Sequence, residues 1–292
     1  MGVSSRQALA DLIGTSGHII VRGPLNHAYR VESGRDKWFV RKRIIADGEY
    51  SQTFAAERWV YPSVSHLVNV PRLHQVLPSP NGQGACAIFD YIDHIPIDWS
   101  RKEVIVKLAE ALAHIHSVAS DCVGYVGSAG PAADYDGAMK SLLHTELERF
   151  HCPNPGITAL LSGYRKYADR HVVFNPEDNC LCHGDVHQGN FLLDHAGKLW
   201  VIDWEAARFR AAASDFNQAH YRWLSEDRQD LLLETYCKLT GKDKEAFMRG
   251  VVFFRVLWHV RTYNFYTRVK NEPEADHIGQ LTAIQDMMGR ML

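Results

Sequence analysis

Two aspartates and an asparagine stand at spacings that suit oxygen-ligand chemistry. Asp185 lies in the run Leu181-Cys182-His183-Gly184-Asp185-Val186-His187-Gln188-Gly189-Asn190, with Asn190 five residues on. Asp203 follows thirteen residues later, in Trp200-Val201-Ile202-Asp203-Trp204-Glu205. Two carboxylates and an amide oxygen are hard donors, suited to Mg2+ rather than to a soft metal. Phosphoryl transfer uses such a set: one carboxylate orients the acceptor hydroxyl and takes its proton, while a second carboxylate and an Asn hold metal against the phosphates. Taken singly, Asp185 and Asp203 read as turn and capping residues. Taken together with Asn190 and His183, they read as a site.

Positioning these groups requires a small sheet. Cys180–Cys182 predicts a short strand that delivers Asp185 onto a Gly-flanked loop. Phe191–Asp194 and Leu199–Asp203 predict a hairpin turning through Gly197, which returns Asp203 to the end that Asn190 left. Upstream, about ninety residues read as β-rich: His18–Arg22, Ala28–Glu32, a turn at Ser33-Gly34-Arg35-Asp36, then Trp38–Ile45. Ser51–Tyr61 has helical spacing and is expected to stop at Pro62. A second extended region starts at Val70, turns through 78–84 and continues over Ala85–Ile92. From Ser100 the pattern is mainly helical. Ser100 and Glu103 form an expected capping box ahead of the stripe Val104, Leu108, Ala111, Leu112, Ile115. Further helices are expected over Asp136–Phe150, Ile157–Asp169, Leu231–Leu239 and Lys244–Arg268, the last apolar nearly all round and so buried.

The Asp-to-Asn spacing equals the D-x-x-x-x-N of protein kinases, but His183-Gly184-Asp185 replaces H-R-D, Ile202-Asp203-Trp204-Glu205 replaces D-F-G, and no A-P-E follows. The run H-G-D-x-H-x-x-N, a short hairpin, then I-D-W-E resembles the aminoglycoside phosphotransferase/choline kinase group of small-molecule kinases. The likeness extends over about residues 18–225. Gly23–Val31 is similar to the family's nucleotide-covering hairpin, Trp38-Phe39-Val40-Arg41-Lys42 to its strand bearing a phosphate-contacting base, and Val68–Arg72 and Ile88–Ile92 to the approach to its hinge and the hinge.

The resemblance implies an α+β, protein-kinase-like, two-lobed fold. A small β-rich lobe over 1–92 would bind nucleotide, and a larger helical lobe over 93–292 would carry catalysis and the acceptor, with ATP (or GTP) and Mg2+ between them. It implies Asp185 as the catalytic group, Asn190 and Asp203 as metal ligands, and His183 and Asp215 as structural support. Nucleotide contacts fall to Arg41 or Lys42, Glu57 as ion-pair partner, and Asp90 and Ile92 at the hinge. Strand alternation lets Arg41 or Lys42 face the nucleotide, not both, and the aromatic-apolar-apolar-basic pattern favours Arg41. The acceptor wall would come from the region after Asp203, with Glu205, Trp223 and Trp258 as contacts and Tyr263 and Tyr266 as further walls of an aromatic cage. The expected acceptor is a hydroxyl on a small cationic molecule, aminoglycoside-type first and choline-, ethanolamine- or thiamine-like second. A catalytically silent nucleotide-binding module of the same fold is the competing reading.

Composition narrows the rest. The 292 residues are 46% hydrophobic and 23% charged with a formal net charge of −2, an ordinary globular balance without the basic field that non-specific nucleic-acid binding needs. The basic run Arg41-Lys42-Arg43 therefore reads as a strand edge with one phosphate contact. Six scattered cysteines lack C-x-x-C spacing and read as reduced thiols of a cytoplasmic protein, with Cys180 and Cys182 as one face of a strand rather than metal ligands. His183, Asp185 and His187 straddle a Gly loop, and His114 and His116 sit two apart on a helix, so neither set reads as a transition-metal site. The N-terminus shows no signal-peptide core, and Arg6 breaks the myristoylation pattern. The most apolar stretch, Val251–Val260, is broken by Arg255 and His259 and is far short of the ~20 residues of a membrane span.

Overall fold

The computed structural model describes residues 17–22, 26–43, 53–78, 85–217 and 223–267. Residues 23–25 of the expected nucleotide-covering hairpin, the end of the expected strand at 44–45, the turn over 79–84 and Arg268 lie outside them. The chain divides into two compact units. One comprises the chain up to Lys107 with Tyr125–Ser128 and Gln188–Ala207; the other holds Leu108–Gly124, Ala129–His187 and the chain from Arg208 onward.

The first unit is built on a five-stranded antiparallel sheet in the order β1-β2-β3-β5-β4. Its strands are β1 (Gly17–Arg22), β2 (Asn26–Ser33), β3 (Asp36–Arg43), β4 (Leu73–Pro78) and β5 (Ala85–Asp90). β2 and β3 meet at Ser33↔Asp36, where Gly34 takes a positive φ of 64° that a side-chain-bearing residue would resist. Period-two alternation then sorts the sheet into faces. Val31, Val40, Leu77, Cys86 and Ile88 make a buried core on one face, with Tyr29 and Trp38 packed against it. Phe39 and Phe89, paired across β3 and β5, share the other face, where the Phe89 ring lies 5.1 Å from that of Tyr61 on α1 (Thr53–Val64).

Helix α1 does not stop at Pro62. It runs one residue pair further, because a proline in the last turn deletes only one backbone bond and here sits exposed. The Ser63 hydroxyl donates to the Trp59 carbonyl at 2.7 Å and that of Ser65 to the Pro62 carbonyl at 3.1 Å, adding side-chain bonds to the backbone on either side of the proline.

A second sheet in this unit runs β11-β10-β6, from β6 (His94–Ile95), β10 (Phe191–Asp194) and β11 (Leu199–Val201). The Asn69 carbonyl accepts from Val201 N at 2.9 Å and its amide donates to the Leu199 carbonyl at 3.0 Å, tying the segment after α1 to this hairpin.

The second unit carries most of the helices, beginning with the continuation of α2 (Lys102–Ile115). The expected capping box ahead of α2 is replaced. The Ser100 hydroxyl donates to Asp98, Glu103 pairs with Arg101, and the helix begins at Lys102, because Asp98 captures Ser100 in a local turn. α3 (Tyr135–Glu148), α4 (Pro155–His171), α5 (Glu226–Thr240) and α6 (Lys244–Phe265) follow. Asp134, Asn154 and Asp243 cap α3, α4 and α6 through their side chains. α6 is buried on most of its faces as its composition predicts, with Phe253, Val256 and Val260 inaccessible to solvent. A four-stranded sheet, β8 (Gly130–Pro131), β7 (Cys122–Tyr125), β12 (Arg208–Ala211) and β9 (Asn179–Cys182) in that order, completes the architecture. Among the described residues, no helix is long and apolar enough to cross a membrane.

Candidate active site

In the first unit, β3 and α1 bring a buried cation against a set of carboxylates. Arg41 shares the sheet face of Phe39, and its Nη2 donates to Glu57 Oε2 at 2.8 Å; the Arg41 side chain is 7% exposed and that of Glu57 fully buried. Arg41 Nη1 donates to Asp203, and Glu205 lies 3.6 Å from Nη2. Lys42 points to the opposite face, in register with Cys86 and beside the Val40–Ile88 core. Of the two residues that alternation allows, the one the strand pattern favours, Arg41, meets Glu57.

Burial works against the charge on Arg41, but Glu57, Asp203 and Glu205 outweigh it and hold the guanidinium firmly protonated. Burial pushes the Glu57 carboxyl up to about 8, against the downward pull of Arg41 and with Asp203 and Glu205 adding to the rise. Three carboxylates around one guanidinium form an acid-rich cluster with room for further positive charge. Asp203 is the solvent-facing member, with its side chain 36% exposed.

The β10–β11 hairpin gathers Asn190 and Asp203. Phe191 pairs with Val201, and Ile202 N donates to the Asn190 carbonyl at 3.0 Å, so Asn190 and Asp203 leave the same open end of the hairpin. Asn190 closes a 3-10 turn and is buried. Asp203 has φ 63° and ψ 67°, the one non-glycine residue with positive φ among those described. Aspartate tolerates this conformation better than most residues, and such strain concentrates at functional sites. The buried Tyr61 hydroxyl lies against the Asp203 backbone, and the turn Trp204–Ala206, with Trp204 fully buried, packs on α1. Hard oxygens from Asn190 and Asp203, one of them solvent-facing and set in a negative cluster, fit Mg2+ by donor type and charge.

Asp185 belongs to the second unit, on the loop that follows β9. Gly184 takes a positive φ of 80°. This turns two successive backbone N–H groups toward one buried carboxylate: His183 N donates to Asp215 Oδ2 at 2.7 Å and Gly184 N to Oδ1 at 2.8 Å. His116 Nε2 lies 3.1 Å from Asp215 Oδ2, and its Nδ1 lies 2.8 Å from the Tyr236 hydroxyl. Burial raises the Asp215 carboxyl, but its bond to His116 leads a set of contacts that together hold it below the usual carboxylate range. His183 is fully buried, and its Nδ1 accepts the Asp185 N–H at 3.3 Å, so the ring braces the loop from inside. The Asp185 side chain itself is 38% exposed and lies 3.4 Å from His187 Nε2.

The remaining expected site residues are placed as follows. Asp90 ends β5 with an exposed carboxylate paired to His74, and the Ile92 carbonyl accepts from His94 Nδ1 at 2.9 Å. Glu205, expected at the acceptor wall, stands instead within the Arg41 cluster. Trp223 is half-buried ahead of α5, and Trp258 packs edge-on to His259 on α6. Tyr263 is core: it is 2% exposed, its ring stacks near Phe150 and its hydroxyl donates to the His151 carbonyl, which removes it from an aromatic cage. His116 escaped the sequence reading as a partner of Asp215, because ninety-nine residues separate them and only packing joins them.

Comparison with solved structures extends over nearly the whole chain. A thermostable mutant of the aminoglycoside phosphotransferase APH(4)-Ia, in ternary complex with AMP-PNP and hygromycin B, superposes with a TM-score of 0.69 at 14% identity, covering 96% of this chain and 97% of that one. A second aminoglycoside phosphotransferase, in complex with GDP and kanamycin, gives 0.68 at 14% identity, with 95% and 98% covered. The macrolide 2'-phosphotransferase MphH from Brachybacterium faecium gives 0.67 at 15% identity, with 95% and 97% covered. At these identities the likeness is one of fold, the α+β protein-kinase-like fold with a β-rich unit and a larger, mainly helical one. No curated protein matches the sequence. The profile of the phosphotransferase enzyme family matches residues 18–251, from the first strand to the middle of α6. With most of its length accounted for in this way, the chain belongs to the phosphotransferase enzyme family and is a small-molecule kinase.

Proposed function

We propose that the protein transfers the γ-phosphate of ATP to a hydroxyl of a small cationic molecule, an aminoglycoside-type amino-sugar first and a choline-, ethanolamine- or thiamine-like amino-alcohol second. The observation that carries this reading is the Arg41 guanidinium, buried and shared between Glu57 and the solvent-facing Asp203. It supplies a permanent positive charge beside hard oxygen donors, which is what polyphosphate with a divalent cation requires.

In this reading residues 1–92 bind the nucleotide and 93–292 carry catalysis and the acceptor. Arg41 clamps phosphate oxygens, Glu57 fixes the direction of the guanidinium, and the backbone around Asp90 and Ile92 meets the base. Asn190 and Asp203 hold Mg2+, which when bound neutralises phosphate charge. Asp185 orients the acceptor hydroxyl and takes its proton, held in place by the His183–Asp215 bracing of its loop. Trp223 and Trp258 contribute to acceptor recognition, where aromatic rings face ammonium groups, while Glu205 stays with the Arg41 cluster. The neighbours bound to hygromycin B and kanamycin support an amino-sugar, and those bound to AMP-PNP and GDP support a nucleotide donor. Six cysteines free of disulfides fit work in a reducing, cytoplasmic compartment.

The test is ADP release coupled to a panel of aminoglycosides, choline, ethanolamine, thiamine and neutral sugars, with ATP and GTP as donors. Acceptor-dependent turnover that needs Mg2+, prefers cationic acceptors and falls about 10²–10⁴-fold in Asp185→Asn is expected. Preference for neutral sugars, or an acceptor KM unmoved by high salt, overturns the cationic acceptor. Near-normal turnover in Asp185→Asn overturns the mechanism.

A further inference from the structure

The second unit contains a cluster that phosphoryl transfer does not use. β9 is extended, so Cys180 and Cys182 fall on the same face, and the chain just beyond α2 lays His116 against them. One ligand atom from each of these three side chains lies within 4.8 Å of the other two, and all three are buried. Cys180 Sγ faces the Arg210 carbonyl at 3.6 Å; Cys182 Sγ faces it at 3.4 Å and the Cys180 and Ala211 carbonyls at 3.7 Å. The Cys182 thiol also hydrogen-bonds to the Cys180 thiol and the His116 ring, so the three ligand groups already meet one another.

We propose that His116, Cys180 and Cys182 form a binding site for a divalent thiophilic ion of the zinc type, separate from the Mg2+ site. Zn–S and Zn–N bonds of about 2.3 and 2.0–2.1 Å in tetrahedral array put neighbouring ligand atoms roughly 3.5–3.8 Å apart. The observed cluster therefore has to close by about 1.0–1.3 Å at most to reach that geometry. Charge selects the ion. Two thiolates cancel a divalent cation, so the occupied site is neutral and compatible with burial, whereas a monovalent soft ion would leave a net negative charge next to Asp215. The fourth position is left to a water from the adjoining cavity, which the Tyr236 hydroxyl, 2.8 Å from His116 Nδ1, also lines.

Access is also built in. A cavity of about 450 Å³ is lined by Cys180, His116 and Tyr236 together with Glu110, Glu177, Asp178 and Lys242. Lys242 pairs with Asp178, which leaves the two glutamates to make the lining net acidic and favour a cation over an anion. The site stands one hydrogen bond from Asp215, the carboxylate that anchors the loop before Asp185. An ion that takes a His116 nitrogen displaces either Tyr236 or Asp215 from it.

Titration of the chelator-treated full-length protein with Co2+, in millimolar Mg2+ to occupy the hard-oxygen sites, tests the proposal without reference to turnover. The expected result is one equivalent of Co2+ giving a thiolate-to-cobalt charge-transfer band and tetrahedral visible bands, both displaced by Zn2+. Cys180→Ser and Cys182→Ser should each weaken binding at least about tenfold, the range seen when a ligand shell is damaged, while Cys237→Ser leaves it unchanged. Where a serine variant does not fold, alkylation of the wild-type protein in urea just below its unfolding midpoint, where the buried thiols open transiently, replaces it: mapped by mass spectrometry, Cys180 and Cys182 should be modified without Zn2+ and protected with it. Absence of a thiolate band at stoichiometric Co2+, or zinc protection of other cysteines instead of these two, overturns the site.

Discussion

Asp215→Asn isolates the brace that holds the catalytic loop. The wild-type carboxylate accepts from His183 N at 2.7 Å, Gly184 N at 2.8 Å and His116 Nε2 at 3.1 Å. An asparagine of the same shape keeps one oxygen. Whichever way the amide turns, one of the two backbone N–H groups faces an NH2 and loses a charge-assisted bond, a loss of about 1.5–3 kcal/mol. The bond that survives becomes neutral and roughly half as strong, which removes about another 1 kcal/mol. His116 gives up its anionic partner as well, so the expected destabilisation is about 3–5 kcal/mol. Urea unfolding followed by fluorescence and far-UV dichroism at neutral pH measures it. The same two N–H groups fix the backbone immediately before Asp185, so the folded fraction should also lose kcat. A misplacement of about 1 Å at the reacting group corresponds to roughly 10²-fold. Stability within about 1 kcal/mol of wild type together with an unchanged kcat would refute the brace.

Arg41→Ala should weaken nucleotide binding strongly and destabilise the protein by about 1–3 kcal/mol, the cost of leaving the buried Glu57 carboxyl, protonated once its cation is gone, without its partner, whereas Lys42→Ala, on the other sheet face, should do neither. Calorimetry on the two variants checks this, and equal losses would refute the facial assignment. Asp203→Ala should reduce the affinity for Mg·ATP far more than that for ATP measured in EDTA, because one anionic hard ligand is lost; equal affinities with and without Mg2+ would refute its role. His183→Gln keeps an acceptor for the Asp185 N–H and should retain activity if the ring only braces the loop. A well-folded variant without activity would give His183 a chemical role instead.

Local chemistry and order along the chain were enough to read much of this protein. The five-residue step from Asp185 to Asn190 and the hairpin that returns Asp203 depend on short-range geometry, in which a strand, a Gly turn and a register leave little freedom. The α6 run shows its burial through composition, and Glu57 was legible as the partner of a basic residue on β3. Tertiary structure decided the rest. Alternation allows Arg41 or Lys42 to face Glu57 and the aromatic-apolar-apolar-basic pattern favours Arg41, but it is the packing of the Val40–Ile88 core on one face and α1 on the other that brings Arg41 to Glu57. Glu205 reads as an acceptor contact by position after Asp203, yet the turn over Trp204–Ala206 folds it back toward Arg41. Pro62 reads as a stop, but in a last turn exposed to solvent the loss of one backbone bond is small enough for α1 to continue. His116 meets Asp215 and the two cysteines of β9 across sixty to one hundred residues of chain. Such contacts leave no periodic trace in a single sequence, because they are selected by the shape of the packed core rather than by any neighbour along the backbone.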